Sequence, residues 1–185
     1  MRIIHSAEEF DGNASVVALG MFDGVHIGHQ KLIRTAVSLA QELKAVSVVC
    51  TFDRHPLSVL CPERAPQAIL PLEENLKKFE KLGTAVALVE SFTPEFSAIP
   101  PEDYLRLLAK RLRARAIVVG ENHTFGQGGR GDASLIRNMA DALGYRAVVV
   151  PPVMDGNVAA SSTYVRALRR AGAYEHAQRL LDIQI

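Results

Sequence analysis

Residues 15–29 read Ser-Val-Val-Ala-Leu-Gly-Met-Phe-Asp-Gly-Val-His-Ile-Gly-His, and this stretch decides the fold. The largely apolar run at 15–20 predicts a buried strand, and the pattern from about 28 to 43 predicts an amphipathic helix. His26 and His29 then lie at a strand-to-helix turn, beside the unpaired N–H groups of a helix start. Such a helix end attracts anions through its free donors and its dipole. Two imidazoles at this position therefore predict a polyphosphate site.

The glycines of the turn favour phosphate over metal. Gly20, Gly24 and Gly28 recur every fourth residue, and glycine lets a ligand approach the backbone closely. The stretch is neither a Walker P-loop nor the dinucleotide-binding Gly-x-Gly-x-x-Gly. A zinc site needs three or four ligands, and Cys50 and Cys61 lack the spacing that would supply them. Asp23 is expected to fix the turn through hydrogen bonds to the backbone rather than to bind a metal.

Strand-like and helix-like segments alternate along the whole chain. The predicted strands are short and apolar, as in a parallel sheet that is covered on both faces; they are 15–20, 45–52, 84–89, 115–120 and 146–150. The predicted helices are 28–43, 72–82, 101–113, 132–143, 161–171 and 173–181. This alternation predicts an α/β protein: a Rossmann-like open parallel sheet of about five strands with helices on both faces. The Pro-rich segment 54–72 is predicted to be a long loop.

Composition narrows the possible partners and location. There are 21 Lys and Arg residues and 20 Asp and Glu residues, so the formal net charge is only +1. That balance gives no electrostatic reason to expect nucleic acid or an anionic membrane as a partner. No apolar segment reaches the ~20 residues that span a bilayer, and the N-terminus lacks the apolar region of a signal peptide. Two cysteines without a disulfide pattern predict reduced thiols and a cytoplasmic protein.

Four ordered motifs carry a resemblance to a known family. The segment 20–29 ends in His-x-Gly-His and is similar to the nucleotidyltransferase superfamily. The full string resembles one branch of it, the FMN adenylyltransferase (FAD synthetase) module of bacterial bifunctional flavin enzymes. Segment 51–56 (Thr-Phe-Asp-Arg-His-Pro) and segment 119–126 (Val-Gly-Glu-Asn-His-Thr-Phe-Gly) are similar to motifs of that module. Segment 161–166 (Ser-Ser-Thr-Tyr-Val-Arg) is similar to the second motif of the superfamily.

The chain also departs from the family pattern. Arg54 replaces a usual proline, His123 a usual phenylalanine and Ala160 a frequent isoleucine. These changes bear on the flavin side more than on nucleotide chemistry. In the bifunctional family a riboflavin kinase barrel follows the last helix. From the sequence we expect a single nucleotidyltransferase domain over residues 1–185, without a kinase domain and without riboflavin phosphorylation.

The resemblance implies a reaction. It is the transfer of an adenylyl group from ATP to FMN, which yields FAD and pyrophosphate. Mg²⁺ would accompany ATP and be held mainly by phosphate oxygens and water, so no residue is assigned as a metal ligand. Two alternatives stay open: a related nucleotidyltransferase with another phosphate acceptor, and a non-catalytic flavin or nucleotide binder.

The resemblance also assigns residues to three roles. The predicted catalytic residues are His26, His29 and Arg166. The predicted ATP-binding residues are Gly20, Phe22, Gly28, Ser161, Ser162 and Thr163. The predicted flavin-binding residues are Phe52, His55, Pro56, Asn122 and Phe125. The segments that hold these residues follow predicted strands, so they should meet at the carboxyl edge of the sheet, where such folds bind ligands.

Overall fold

A six-stranded parallel sheet organises the computed structural model, which describes residues 1–183. Its strands are β1 (Arg2–Ile4), β2 (Ser15–Leu19), β3 (Val46–Phe52), β4 (Val86–Glu90), β5 (Ala114–Gly120) and β6 (Arg146–Val150). Their order across the sheet is β1-β4-β3-β2-β5-β6, and every neighbouring pair is parallel. The predicted open parallel α/β sheet is confirmed. The edge strand β1 was not predicted, because three residues are too few to show a period.

Helices cover both faces of the sheet. They are α1 (Ile27–Glu42), α2 (Leu57–Leu60), α3 (Leu72–Lys81), α4 (Pro94–Ser97), α5 (Pro101–Arg111), α6 (Ala133–Leu143), α7 (Ser162–Arg170) and α8 (Tyr174–Leu181). The six longer helices match the prediction. The prediction of a plain loop over 54–72 was wrong, because that segment contains α2 and a 3-10 turn at Pro62–Arg64. A small antiparallel hairpin, β7 (Met154–Asp155) with β8 (Val158–Ala159), precedes α7.

The core lies in two layers, one on each face of the sheet. Leu105, Leu108 and Ile136 pack on one face, and Ile33 and Phe79 on the other, all fully buried. Burying a side chain of this size stabilises the fold by roughly 1.5–3 kcal/mol. None of the helices in residues 1–183 is both long and apolar enough to cross a membrane.

The order in which strands join the sheet changes direction at β2, which has β3 on one side and β5 on the other. From β2 the chain proceeds outward through β3 and β4, and it then returns to lay β5 and β6 on the opposite side. The crevice outside the carboxyl ends of β2 and β5 is therefore the switch point, where open α/β sheets bind ligands. Two of the four sequence motifs, 20–29 and 119–126, adjoin this point.

Candidate active site

The turn between β2 and α1 has a strained backbone. Phe22 and Val25 have φ values of +50° and +48°, and Gly24 has +81°. Left-handed backbone is uncommon for Phe and rarer still for a β-branched residue such as Val. Strain of this kind costs about 1–3 kcal/mol per residue and persists only where surrounding contacts hold it.

Buried hydrogen bonds to the backbone hold the turn in place. Thr51 donates to the carbonyl of Met21 at 2.9 Å, Asn75 accepts from the Gly24 N–H at 3.0 Å, and Gln30 donates to the carbonyl of Val25 at 3.0 Å. Each of these three side chains is buried. The turn is therefore set before any ligand binds, which fixes the start of α1.

The two imidazoles at the start of α1 stack on each other. The ring centroids of His26 and His29 are 3.7 Å apart, with 25° between the ring planes. The edge of Phe22 supports His29 from behind, with ring centroids 5.2 Å apart. Nδ1 of each histidine is buried and has no hydrogen-bond partner in residues 1–183. Buried polar atoms are nearly always satisfied. Thr84 Oγ1 is the third exception in residues 1–183, but only the two histidines also line a cavity, and the two observations together indicate a place for a ligand.

Burial keeps both imidazoles neutral in the free protein. It lowers the pKa of His26 to about 4. Burial, with the nearby rings of His26 and His123, holds the pKa of His29 well below its ordinary range. A phosphate group brought against these rings would favour their protonated form. The pair can therefore meet a polyanion either as neutral N–H donors or as cations.

Gly28 gives the imidazole of His26 its position. A Cβ at residue 28 would lie 3.1 Å from Cε1 and 3.2 Å from Nδ1 of His26, with the carbonyl of Ala160 on its other side at 3.4 Å. We expect Gly28→Ala to displace the His26 ring and to lower kcat/KM for ATP by about tenfold to a hundredfold, because small misplacements of binding groups have effects of this size. Steady-state kinetics would measure it, with Ser38→Ala on the exposed face of α1 as the control. Kinetics unchanged from wild type would contradict this role.

One cavity of about 310 Å³ opens in front of the imidazoles, and we call it the imidazole cavity. Its walls are Leu19, Gly20, Met21, Phe22, His26, Gly28, His29, Leu32 and residues 120–123, 150–152 and 160–162. Almost all the residues predicted to contact ATP are in this set. Phe22 contributes from behind His29, since its side chain is fully buried. Thr163 is exposed and lies outside the set.

The start of α7 closes one side of the imidazole cavity. The Ser161 side chain caps the helix by accepting from the N–H of Tyr164 at 3.1 Å. The hydroxyl of Ser162 donates to the carbonyl of Asp23 at 3.0 Å and so joins α7 to the strained turn. Both hydroxyls thus have structural partners. The donors that this helix can offer an anion are its first backbone N–H groups.

Arg166 lies behind the strained turn, where it forms an ion pair with Asp23 at 2.5 Å. Both side chains are largely buried, with 15% and 8% of their surfaces exposed. Arg166 also donates to the carbonyl of Gln67 at 2.8 Å, while Asp23 accepts from the N–H groups of Ile69 and Leu70. The guanidinium does not line the imidazole cavity. Arg166 instead links the segment 67–70 to the turn through its bonds to Gln67 and Asp23. The contact of Arg166 with phosphate stays a prediction.

A second cavity, of about 420 Å³, lies on the other side of the switch point, and we call it the aromatic cavity. Its aromatic walls are Phe52, Phe92, Phe96, Tyr104 and Phe125. Four of the five residues predicted to bind flavin line it, namely Phe52, Pro56, Asn122 and Phe125. His55 does not; its Nδ1 accepts from the N–H of Leu57 at 3.1 Å, and burial and then the Arg166 guanidinium lower its pKa.

Three of the aromatic wall residues were not predicted from the sequence. Phe92 follows β4, Phe96 is in the short helix α4, and Tyr104 is in α5. Phe52 packs edge-on against both Phe92 and Phe96, at ring-centroid distances of 5.1 and 5.3 Å. The sequence signal for Phe92 and Phe96 was their position just beyond the end of the buried strand β4, because open α/β sheets bind ligands outside the carboxyl ends of their strands.

Glu90 lies buried next to the aromatic cavity, where its carboxylate accepts from the hydroxyl of Tyr104 at 2.7 Å. Burial raises the pKa of Glu90 from 4.5 to about 7, and the hydrogen bond from Tyr104 offsets part of that rise. Between pH 4.5 and about 7, Glu90 in the folded protein therefore keeps a proton that the unfolded chain has released. The stability that Glu90 contributes is present below pH 4.5 and is lost as pH approaches 7.

We expect Glu90→Gln to unfold less readily than wild type at pH 8, by a free energy on the order of 3 kcal/mol. The difference should shrink towards zero near pH 4, where Glu90 is protonated in both states. Urea denaturation at several pH values would measure this, with the exposed Glu175→Gln as the control. A difference that does not vary with pH would contradict the raised pKa.

The imidazole and aromatic cavities share a wall. Leu19, Gly20, Met21, Asn122 and His123 line both of them. A ligand in one cavity can therefore meet a ligand in the other across the ends of β2 and β5. This arrangement defines a class: an α/β domain of the nucleotidyltransferase type, with two adjoining cavities at the carboxyl edge of its sheet.

The chain belongs to the FAD synthetase family, whose sequence model matches residues 9–164. A bifunctional riboflavin kinase/FMN adenylyltransferase from Bacillus subtilis is 35% identical over 90% of this chain and 53% of its own length. An FAD synthetase from Listeria monocytogenes is 31% identical over 92% of this chain and 70% of its own length. The chain thus spans about half the length of the bifunctional relatives, and the resemblance predicted from the four motifs is confirmed.

Solved structures agree on the fold. A protein from Streptococcus pneumoniae described as a macrolide-efflux protein superposes with a TM-score of 0.84 at 29% identity, covering 97% of this chain and 60% of its own. A pantoate-beta-alanine ligase from Francisella tularensis superposes with a TM-score of 0.60 at 14% identity, covering 99% and 80%. At that identity the second likeness bears on the fold alone.

Proposed function

We propose that this chain transfers the adenylyl group of ATP to FMN, producing FAD and pyrophosphate. The observation that carries the proposal is the shared wall between the imidazole cavity and the aromatic cavity. A reaction between two bound phosphates needs two adjoining sites, one of which accepts a large aromatic ring. Membership of the FAD synthetase family supports the same assignment.

The reaction requires mainly that the two substrates are aligned and that the charge developing on the triphosphate is stabilised. An oxygen of the FMN phosphate, already ionised near neutral pH, attacks the α-phosphorus of ATP. The bond from that phosphorus to the bridging oxygen of the β-phosphate breaks, and pyrophosphate leaves with the electron pair. His26 and His29, with the N–H groups that begin α1 and α7, would hold the triphosphate and offset the charge that develops on it. No general base is required.

The aromatic cavity suits the isoalloxazine ring. Its volume of about 420 Å³ falls in the usual range for small-molecule sites. Phe52 and Phe125 would pack against the ring, and Asn122, at the shared wall, offers an amide to its polar edge or to the ribityl chain.

Mg²⁺ is proposed as the ion that accompanies ATP. Residues 1–183 contain no group of three or more His, Cys, Asp or Glu side chains able to hold a metal on their own. Asp23 is engaged with Arg166 and with backbone N–H groups, and Glu121 is the one carboxylate that lines the imidazole cavity. These residues fit an ion held chiefly by phosphate oxygens and water. When bound, it would supply charge neutralisation to the triphosphate.

We also propose that the enzyme works in the cytoplasm. Both cysteines are free thiols, and Cys61 is partly exposed. Free thiols persist most readily in a reducing compartment. ATP and FMN are the proposed substrates, and the net charge of +1 gives no support to a nucleic-acid partner.

A panel of acceptors tests the proposal and its alternatives. The purified chain is incubated with Mg-ATP and, separately, FMN, riboflavin or ribose 5-phosphate, and pyrophosphate and flavin products are measured. We expect pyrophosphate and FAD in equal amounts with FMN and neither with the other two. Pyrophosphate with ribose 5-phosphate but not with FMN would point to another acceptor. Flavin binding without pyrophosphate from any acceptor would point to a non-catalytic binder.

A further inference from the structure

His123 lies on the wall that the imidazole and aromatic cavities share. Its backbone N–H donates to the carbonyl of Gly120 at 3.1 Å, which fixes the segment just beyond β5. Its ring lies nearly parallel to that of Phe125, at 5.8 Å between centroids and 13° between planes. Within residues 1–183 no side chain or backbone group forms a hydrogen bond with its ring nitrogens. The ring is thus positioned by stacking, and its nitrogens stay available to a ligand.

Among the residues of the shared wall, His123 alone can carry a positive charge. The other four are Leu19, Gly20, Met21 and Asn122. In the part of the chain described here, neither cavity is lined by lysine or arginine. The side chains that line the two cavities and can meet a phosphate as cations are therefore imidazoles. His29 is close enough to His123 for the His123 ring to contribute to lowering the pKa of His29.

The reaction creates a need for such a group. Attack requires the FMN phosphate to come within bonding reach of the ATP α-phosphate, so two anions must approach each other at the shared wall. His26 and His29 lie on the ATP side of this junction. A donor on the flavin side would offset the repulsion and fix the attacking oxygen.

We propose that His123 binds the phosphate of FMN at the junction of the two cavities and thereby selects FMN over flavins that lack a phosphate. This inference rests on the proposed function. Burial lowers the pKa of His123 to about 4, so the empty site would hold a neutral ring, and a phosphate beside it would favour protonation.

Binding of FMN and riboflavin, without ATP, tests the proposal. The two ligands share the ring and ribityl chain and differ in the phosphate. For His123→Phe, which keeps a ring to stack on Phe125, we expect FMN affinity to fall at least about tenfold and riboflavin affinity to change less than about twofold. His123→Gln keeps a neutral donor and should lie between the two. Fluorescence quenching would give the dissociation constants, and the exposed His5→Phe and His5→Gln are matched controls.

Three results would overturn the assignment. Equal losses for FMN and riboflavin would mean that His123 only shapes the cavity. Unchanged FMN affinity would mean that it does not contact the phosphate. A loss confined to ATP affinity would move it to the other substrate. Each is distinguishable from failure of the proposed function, in which the wild-type chain itself would neither prefer FMN nor form FAD.

Discussion

Replacing His29 by alanine should reduce FAD formation by about a hundredfold to a thousandfold, the usual effect of losing one preorganised donor. His29 stacks on His26, faces the imidazole cavity and has a buried Nδ1 without a partner in residues 1–183. Its removal would leave the triphosphate without one of the two imidazole donors proposed for it. Chromatographic measurement of FAD gives the turnover number, and circular dichroism shows whether the fold is intact.

Two controls bracket the His29 prediction. His5→Ala removes an exposed imidazole that directly follows β1, outside both cavities, and Lys31→Ala removes an exposed cation from α1 itself. Both should keep wild-type turnover. A folded His29→Ala variant with more than half of wild-type turnover would remove His29 from the site.

Replacing Arg166 by alanine should have the largest effect on stability. The change leaves Asp23 as a buried, unpaired carboxylate and frees the segment 67–70 from the turn. Breaking a buried ion pair from one side costs about 3–5 kcal/mol. We also expect the KM for ATP to rise at least about tenfold, or turnover to fall as much, with little change in flavin affinity. Denaturant unfolding, ATP kinetics and flavin fluorescence quenching measure the three quantities.

A double variant separates structure from catalysis at Arg166. Asp23→Asn combined with Arg166→Met replaces the pair by neutral residues of similar shape, which is often nearly neutral for stability. We expect the free energy of unfolding to recover most of its loss and the use of ATP to stay impaired. Recovery of both would make Arg166 a positioning residue only. Lost flavin binding with normal ATP kinetics would mean that the two substrates bind on the opposite sides of the switch point from those proposed.

The main strands and the six long helices could be predicted because their hydrophobic patterns extend over at least five residues. The strands β2 to β6 are apolar runs of five to seven residues, and the six long helices show a helical period with end signals such as Pro101 and Gly144. The helices α2 and α4 have four residues each, less than two turns, so no period can reveal them.

The residues that line the two cavities were predictable only where they belong to a recognisable motif. His26, His29 and Asn122 were placed in this way. Tyr104 lies near the start of α5, where its pattern is that of a core residue, and only the tertiary fold brings it to the cavity. The pairing of Arg166 with Asp23 joins residues 143 positions apart, and no local signal predicts that contact.

The most direct test of adenylyl transfer to FMN is to follow the α-phosphorus of ATP. The purified chain is incubated with FMN, Mg²⁺ and ATP labelled at the α-phosphorus, and the products are separated by chromatography. We expect label in FAD, pyrophosphate in equal amount, and a nearly complete loss of labelled FAD with His29→Ala. Binding of FMN and ATP by the wild-type chain without labelled FAD would contradict adenylyl transfer to FMN.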